Sequence, residues 1–218
     1  MRTMRTLVAS LALALALAAS AEAQSPAPST ASSPAPTTVL LVIDIQNFYF
    51  PEGRVPLVEP EAASLRAKRL VERFRAQGWP IVHVQHLPKD QSVPSPDAGD
   101  PQYRFHPNVI PALGEPVVGK HYANAFRDTE LLATLNKLGA KRIVIAGMQT
   151  HMCVEAATRA AADLGFEVVV AHDACATRAL KFGGTEVPAA QVHAAALAAM
   201  SGSYARVVSV DELLAELK

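Results

Sequence analysis

The chain has 218 residues in which 20 basic side chains are matched by 20 acidic ones; half of all residues are hydrophobic and 6% aromatic. So even a balance, without a cluster of Lys and Arg interleaved with aromatics, argues against a nucleic-acid partner, and two cysteines are far too few for a disulfide-built scaffold. Beyond residue 23 no stretch approaches the ~20 apolar residues that a membrane span needs.

Arg2 and Arg5 ahead of the apolar run 7–19, followed by Ala21-Glu22-Ala23, have the three-part layout of a secretory signal peptide over 1–23. That predicts a secreted or periplasmic protein; the alternative is an uncleaved N-terminal anchor. Residues 24–38 are almost entirely Ser, Pro, Ala and Thr, lack the apolar side chains to offset the entropy of ordering, and read as a flexible linker. Residues 39–218 then form one domain with enough chain for a proper core. Without Arg2, Arg5 and Glu22 it keeps 18 basic and 19 acidic residues, still near neutral.

Within the domain, 39–43 is a continuous apolar run ending at Asp44, as expected of a strand buried on both faces. Ala67, Leu70, Val71 and Phe74 then fall at i, i+3, i+4 and i+7 of a helix closed by Gln77-Gly78, with Arg66, Lys68 and Arg69 on its solvated side. Strand two is 81–86. The Pro-, Asp- and Ser-rich stretch 87–107 is long for a connection and reads as a functional flap. A short third strand at 116–118 is followed by a helix marked by Leu131, Leu135 and Leu138. The fourth strand, 143–146, leads through a short loop to Cys153 and a helix ending at Gly165. Strand five at 166–171, a helix carrying Val192, Ala196 and Met200, strand six at 206–210 and a last helix at 211–218 complete the pattern. Strands alternating with helices at this spacing predict an α/β fold: a three-layer α/β/α sandwich around a six-stranded, mainly parallel, Rossmann-like sheet.

In such sheets ligands bind beyond the carboxyl ends of the strands, where strand order reverses. Asp44 ends strand one, Lys120 lies just past strand three, and Cys153 follows strand four. A strand-loop-helix turn aims backbone N–H groups and the helix dipole at the sulfur, favouring thiolate. A carboxylate beside it can take a proton, and an ammonium steadies both anions. Each residue also has a plain alternative: Cys153 a small buried hydrophobe, Asp44 a turn cap, Lys120 a surface cation.

Four stretches carry a resemblance. They are Leu41-Val42-Ile43-Asp44-Ile45-Gln46-Asn47; Gly119-Lys120 with Asn124-Ala125-Phe126; Gly147-Met148-Gln149-Thr150-His151-Met152-Cys153-Val154 with Thr158; and Asp173-Ala174-Cys175-Ala176-Thr177. Through them the sequence resembles, over about 39–210, the isochorismatase-like cysteine hydrolases, which include nicotinamidases and other amidases. The resemblance implies Asp44 as general base, Lys120 as electrostatic partner and Cys153 as nucleophile. It implies a cis peptide between Met148 and Gln149, with the Gln149 and Cys153 N–H groups forming an oxyanion hole. The implied reaction is hydrolysis of an amide, ureide or carbamoyl C–N bond through a Cys153 thioester, with no cofactor, in an enzyme that assembles as a dimer or tetramer. Nicotinamidases hold a metal with an Asp and histidines after the second strand. Here that region offers His83 and His86, three apart on a strand and so on opposite faces, which argues against a metal and against nicotinamide.

Phe48, Tyr49, His86, Tyr122, Phe126 and His151 are candidates to wall a small-molecule site, with ordinary core packing the alternative for each. One rival function is a non-catalytic binding or thiol-redox module with Cys153 and Cys175 joined. The other is an inactive relative that binds a partner.

Overall fold

The computed structural model describes residues 37–88 and 99–217. The signal peptide expected at 1–23, the expected linker up to residue 36 and the middle of the expected flap, 89–98, lie outside the described residues. Within them a six-stranded sheet runs in the order β3-β2-β1-β4-β5-β8, every pairing parallel. The strands are β1 (Thr38–Ile43), β2 (Ile81–His86), β3 (Val117–Lys120), β4 (Arg142–Met148), β5 (Glu167–Ala176) and β8 (Arg206–Val208).

The apolar run of β1 is continuous because both of its faces are covered. Leu40 and Val42 pack with Ala67, Leu70 and Phe74 of α1 (Pro60–Ala76) and Leu213 of α5 (Val210–Glu216). Val39, Leu41 and Ile43 point the other way, toward Leu131 and Leu135 of α2 (Leu131–Lys137) and Ala157 and Ala161 of α3 (Glu155–Asp163). Helix α4 (Ala189–Met200) adds Leu197 to that second face. These are the three layers the strand-helix alternation predicts.

Three differences from the sequence reading matter. First, β3 begins one residue later than expected and runs on, so Lys120 is its last residue, opposite His86 of β2. Second, β5 continues past residue 171. The polar pair His172-Asp173 breaks the apolar run, but Asp173 is spent on local contacts: its Oδ1 accepts the Val210 N–H at 2.8 Å and its Oδ2 meets Arg66 Nε at 3.2 Å. The strand then resumes with a shifted register that pairs Ile145 with Val170 but Gly147 with Cys175, so Cys175 sits within the strand and not after it. Third, a hairpin of β6 (Leu180–Phe182) and β7 (Thr185–Val187) follows. Its two-residue link is Gly183-Gly184, both at positive φ, a turn signal passed over in the sequence.

The chain lays down β1, β2 and β3 outward and then crosses back to place β4 on the other side of β1. Strand order therefore reverses between β1 and β4, and the crevice beyond their carboxyl ends is where such sheets bind ligands.

Candidate active site

Asp44, first residue past β1, adopts a left-handed backbone with φ of 51°. Asp tolerates that region better than most residues. Its N–H donates to Val84 O (3.0 Å) and its carbonyl accepts from Gln46 N (2.9 Å), so the turn is held on both sides. Next to it the backbone of β4 presses so close that a Cβ on Gly147 would lie 2.2 Å from Ile43 O. Only glycine fits there.

The β4 strand ends in a cis peptide between Met148 and Gln149. The next residues, Thr150–Val154, form a single π-helical turn ahead of α3, closed by Val154 N–H donating to Gln149 O at 3.2 Å. Cys153 thus sits within the π turn rather than at the first residue of a regular helix; such turns recur at functional sites.

Three distant side chains meet there. Lys120 Nζ lies 2.7 Å from Asp44 Oδ2 and 3.2 Å from Cys153 Sγ. The ammonium also donates to Tyr122 O (3.1 Å) and stands 3.3 Å from His86 Nδ1. Asp44 and Lys120 are buried, at 0% and 1% exposure. Apart from Lys120 and the Cys153 thiol, neither carboxylate oxygen finds a hydrogen-bond partner among the described residues.

Electrostatics at the sulfur reverse one expectation. Burial above all, then the Asp44 charge, pushes the Cys153 thiol up to about 12, and Lys120 only partly opposes them. The dipole argument for a standing thiolate is local and is outweighed by the burial and the neighbouring carboxylate. At rest the thiol is therefore neutral, beside the Lys120 ammonium. Lys120 loses some of its charge preference to burial, but Asp44 and Cys153 more than restore it and leave its pKa raised.

Above the sulfur is a cavity of about 260 Å³ lined by Phe48, Tyr49, Arg54, Val55, His86, Tyr103, Ala123, Gln149, Met152 and Cys153. Of the residues singled out in the sequence, Phe48, Tyr49 and His86 reach this lining. Tyr122, Phe126 and His151 do not, because each side chain is engaged elsewhere. The Tyr122 ring lies under the Arg127 guanidinium, 3.7 Å from its carbon; Phe126 packs on the α2–α3 face of the core; His151 Nδ1 bonds Thr177 Oγ1.

The structure adds residues that local sequence did not mark. Gln46 is fully buried, and its Nε2 donates to His86 O (3.0 Å) and Tyr103 O (2.6 Å) while Oε1 accepts from His86 N (2.8 Å). Asn47 Nδ2 donates to Pro101 O at 2.9 Å, and Arg54 pairs with Asp100 at 2.8 Å. Together they fasten residues 99–106 as a strap along one wall. Arg178, the residue after the fourth matching stretch, donates from Nε to Gln149 Oε1 at 3.2 Å.

His83 and His86 have separate partners. His83 Nε2 lies 2.8 Å from Glu115 Oε2, away from the cavity, whereas His86 faces Lys120. Both are held below the ordinary histidine range, chiefly by burial. Among the described residues no cluster of His, Cys, Asp and Glu could hold a metal ion, and no helix is long and apolar enough to cross a membrane. The cysteines are not joined: Cys175 Sγ donates to Ala171 O at 3.4 Å.

A family model described as the isochorismatase domain matches residues 38–212. An uncharacterized isochorismatase family protein of Bacillus subtilis, YddQ, is 41% identical over 187 residues, covering 82% of this chain and 99% of its own. Maleamate amidohydrolase of Pseudomonas putida is 30% identical over 64% of this chain and 72% of its own. Among solved structures, a protein described as an isochorismatase hydrolase from Oleispira antarctica superposes with a TM-score of 0.78 at 49% identity, over 84% of this chain and 99% of that one.

Proposed function

The chain belongs to the isochorismatase family of hydrolases, and on that premise we propose that it hydrolyses a C–N bond of a small amide, ureide or carbamoyl compound through a Cys153 thioester. The observation that carries the reading is the buried contact set at the strand-order reversal, with Lys120 Nζ 2.7 Å from Asp44 and 3.2 Å from Cys153, which lines the cavity. Kinship with an amidohydrolase supports the bond class.

The resting protonation states suggest the order of events. When substrate displaces water, the Cys153 proton passes to Asp44 as sulfur attacks the carbonyl carbon, so the thiolate forms only as it is consumed. Lys120 stays charged throughout and offsets the negative charge shared by sulfur and carboxylate. The carbonyl oxygen, now anionic, is received by the Gln149 and Cys153 N–H groups. Asp44 returns the proton to the leaving nitrogen, the C–N bond breaks and the thioester remains. Asp44 then takes a proton from water, hydroxide attacks the thioester, and the acid leaves as the sulfur regains its proton.

The test is ammonia release from a panel of small amides, with hydroxylamine added to trap the acyl group as a hydroxamate. Cys153→Ala is expected to lose both signals. Turnover that survives the substitution rejects the reading. We also propose that residues 1–23 direct export and are removed, which the N-terminal sequence of protein recovered from outside the cytoplasm would check.

A further inference from the structure

Two chains of directed hydrogen bonds converge on the cavity, each starting from a side chain that can only donate. The first starts at Arg178. A guanidinium has no acceptor, so the Gln149 atom 3.2 Å from its Nε must be the amide oxygen. That orientation turns Gln149 Nε2 to Tyr49, where it donates to the phenol oxygen at 3.4 Å. With its oxygen accepting from Gln149, the Tyr49 hydroxyl has its proton left to give.

The second starts at Lys120. Its three protons have four neighbours, but a ring N–H turned toward an ammonium 3.3 Å away would be repelled, so the His86 Nδ1 that faces it is the bare nitrogen of the ring. A neutral imidazole with Nδ1 accepting carries its proton on Nε2. Both Tyr49 and His86 belong to the cavity lining. Burial, first, and the proximity of Asp44 and Cys153 hold the Tyr49 phenol above its ordinary range, so its proton stays in place. Burial keeps the His86 ring in the neutral form. Among the described residues the remaining wall is Phe48, Val55, Tyr103, Ala123 and Met152, largely apolar, and the one arginine in the lining, Arg54, is paired with Asp100.

We propose that the cavity selects amides whose far end carries a hydrogen-bond acceptor, a second carbonyl above all, received by Tyr49 O–H and His86 Nε2–H. Arg178 is then a positioning residue that fixes the direction of the Tyr49 bond through Gln149 without touching substrate. This rests on the C–N hydrolase reading above and names the substrate class for that same site. The physical basis is asymmetry: a buried donor left unpaired by an apolar group of the same shape costs binding, whereas an apolar wall discriminates only weakly.

The test compares 4-oxopentanamide with 4-methylpentanamide, which have the same outline but carry a carbonyl oxygen or a methyl group at the far end. The parent enzyme is expected to favour the keto amide by about 100-fold in kcat/KM. Tyr49→Phe should bring that ratio down about tenfold, chiefly through KM for the keto amide. Arg178→Met should lower it by a similar factor with the fold intact by circular dichroism, and Arg178→Lys, which restores a donor, should recover part of it. The same pair is also scored by protection of Cys153 from iodoacetamide, a readout that needs no turnover. If C–N hydrolysis is the wrong chemistry, the keto amide still protects better than its methyl partner, so the two failures are told apart. Equal or absent protection by both compounds overturns the proposal, as does a preference unchanged in Tyr49→Phe and Arg178→Met.

Discussion

At each end of the paired strands β2 and β3 a carboxylate meets a cation and a titratable side chain, partly exposed at one end and fully buried at the other, and the two behave differently. Near the start of β3, Glu115 takes Arg75 Nε on Oε1 at 2.7 Å and, on Oε2, Arg75 Nη2, His83 Nε2 and the Ala112 N–H at 2.8, 2.8 and 2.9 Å. Burial disfavours its charge, but the bonds from Arg75 and His83 outweigh that and hold it well below the usual carboxylate range. At the other end Asp44 has Lys120 and a thiol and nothing else among the described residues. The ingredients are similar; the satisfaction is not. A carboxylate that accepts four hydrogen bonds has little capacity left for a new partner, while one with fewer partners keeps that capacity. The contrast separates a structural cluster from a reactive one without reference to any substrate.

The sharpest way to break this comparison is to exchange charge for neutrality at each end. Asp44→Asn should reduce turnover at least ~10³-fold and, by leaving Lys120 buried without its partner, cost about 3–5 kcal/mol of unfolding free energy in urea. Cys153 comes next. With its thiol near 12, the rate of alkylation by iodoacetamide should climb roughly tenfold per pH unit, about 100-fold from pH 7 to pH 9. A rate flat across that range would mean a standing thiolate.

At the satisfied end, Glu115→Gln should leave kcat unchanged and cost about 2 kcal/mol at neutral pH. The sign of its pH dependence follows from the depressed folded-state pKa. The stabilisation is complete above the unfolded value of ~4.3 and fades as acid protonates the carboxylate. The gap between the parent and Glu115→Gln should therefore begin to narrow below about pH 4 and go on narrowing as the pH falls further, as read by thermal unfolding across pH. The smallest effect is expected from Arg54→Ala, which removes a half-exposed pair with Asp100 and should change stability by less than ~1 kcal/mol.

How far the sequence reaches can be judged from individual residues. β1 was legible because a strand buried on both faces must be apolar throughout, and Asp44, Lys120 and Cys153 were legible because strand ends in a parallel sheet share one edge. Gln46 was not. Its three bonds go to the main chain of His86 and Tyr103, and nothing near position 46 encodes those partners. Tyr122 and His151 illustrate the opposite error, since closeness in sequence to Lys120 and Cys153 says nothing about side-chain direction, which Arg127 and Thr177 decide. The protonation state of Cys153 failed for a related reason: a helix dipole can be read from neighbours, whereas burial and the carboxylate of a residue over a hundred positions away cannot. Resumption of β5 after Asp173 escaped notice because a polar residue inside a strand looks like its end unless its partner, the N-terminus of α5, is known.

The stitching by Gln46 also bears on traffic. Lifting residues 99–106 to open that side would break the Gln46 and Gln85 bonds to Tyr103 O at once, in addition to the Asn47 and Arg54 bonds. Met152 also lines the cavity and is 41% exposed, with no such bonds fastening its side chain. A flexible, unbranched side chain there can swing aside on the nanosecond scale, so on that side the cavity can widen without any movement of the backbone.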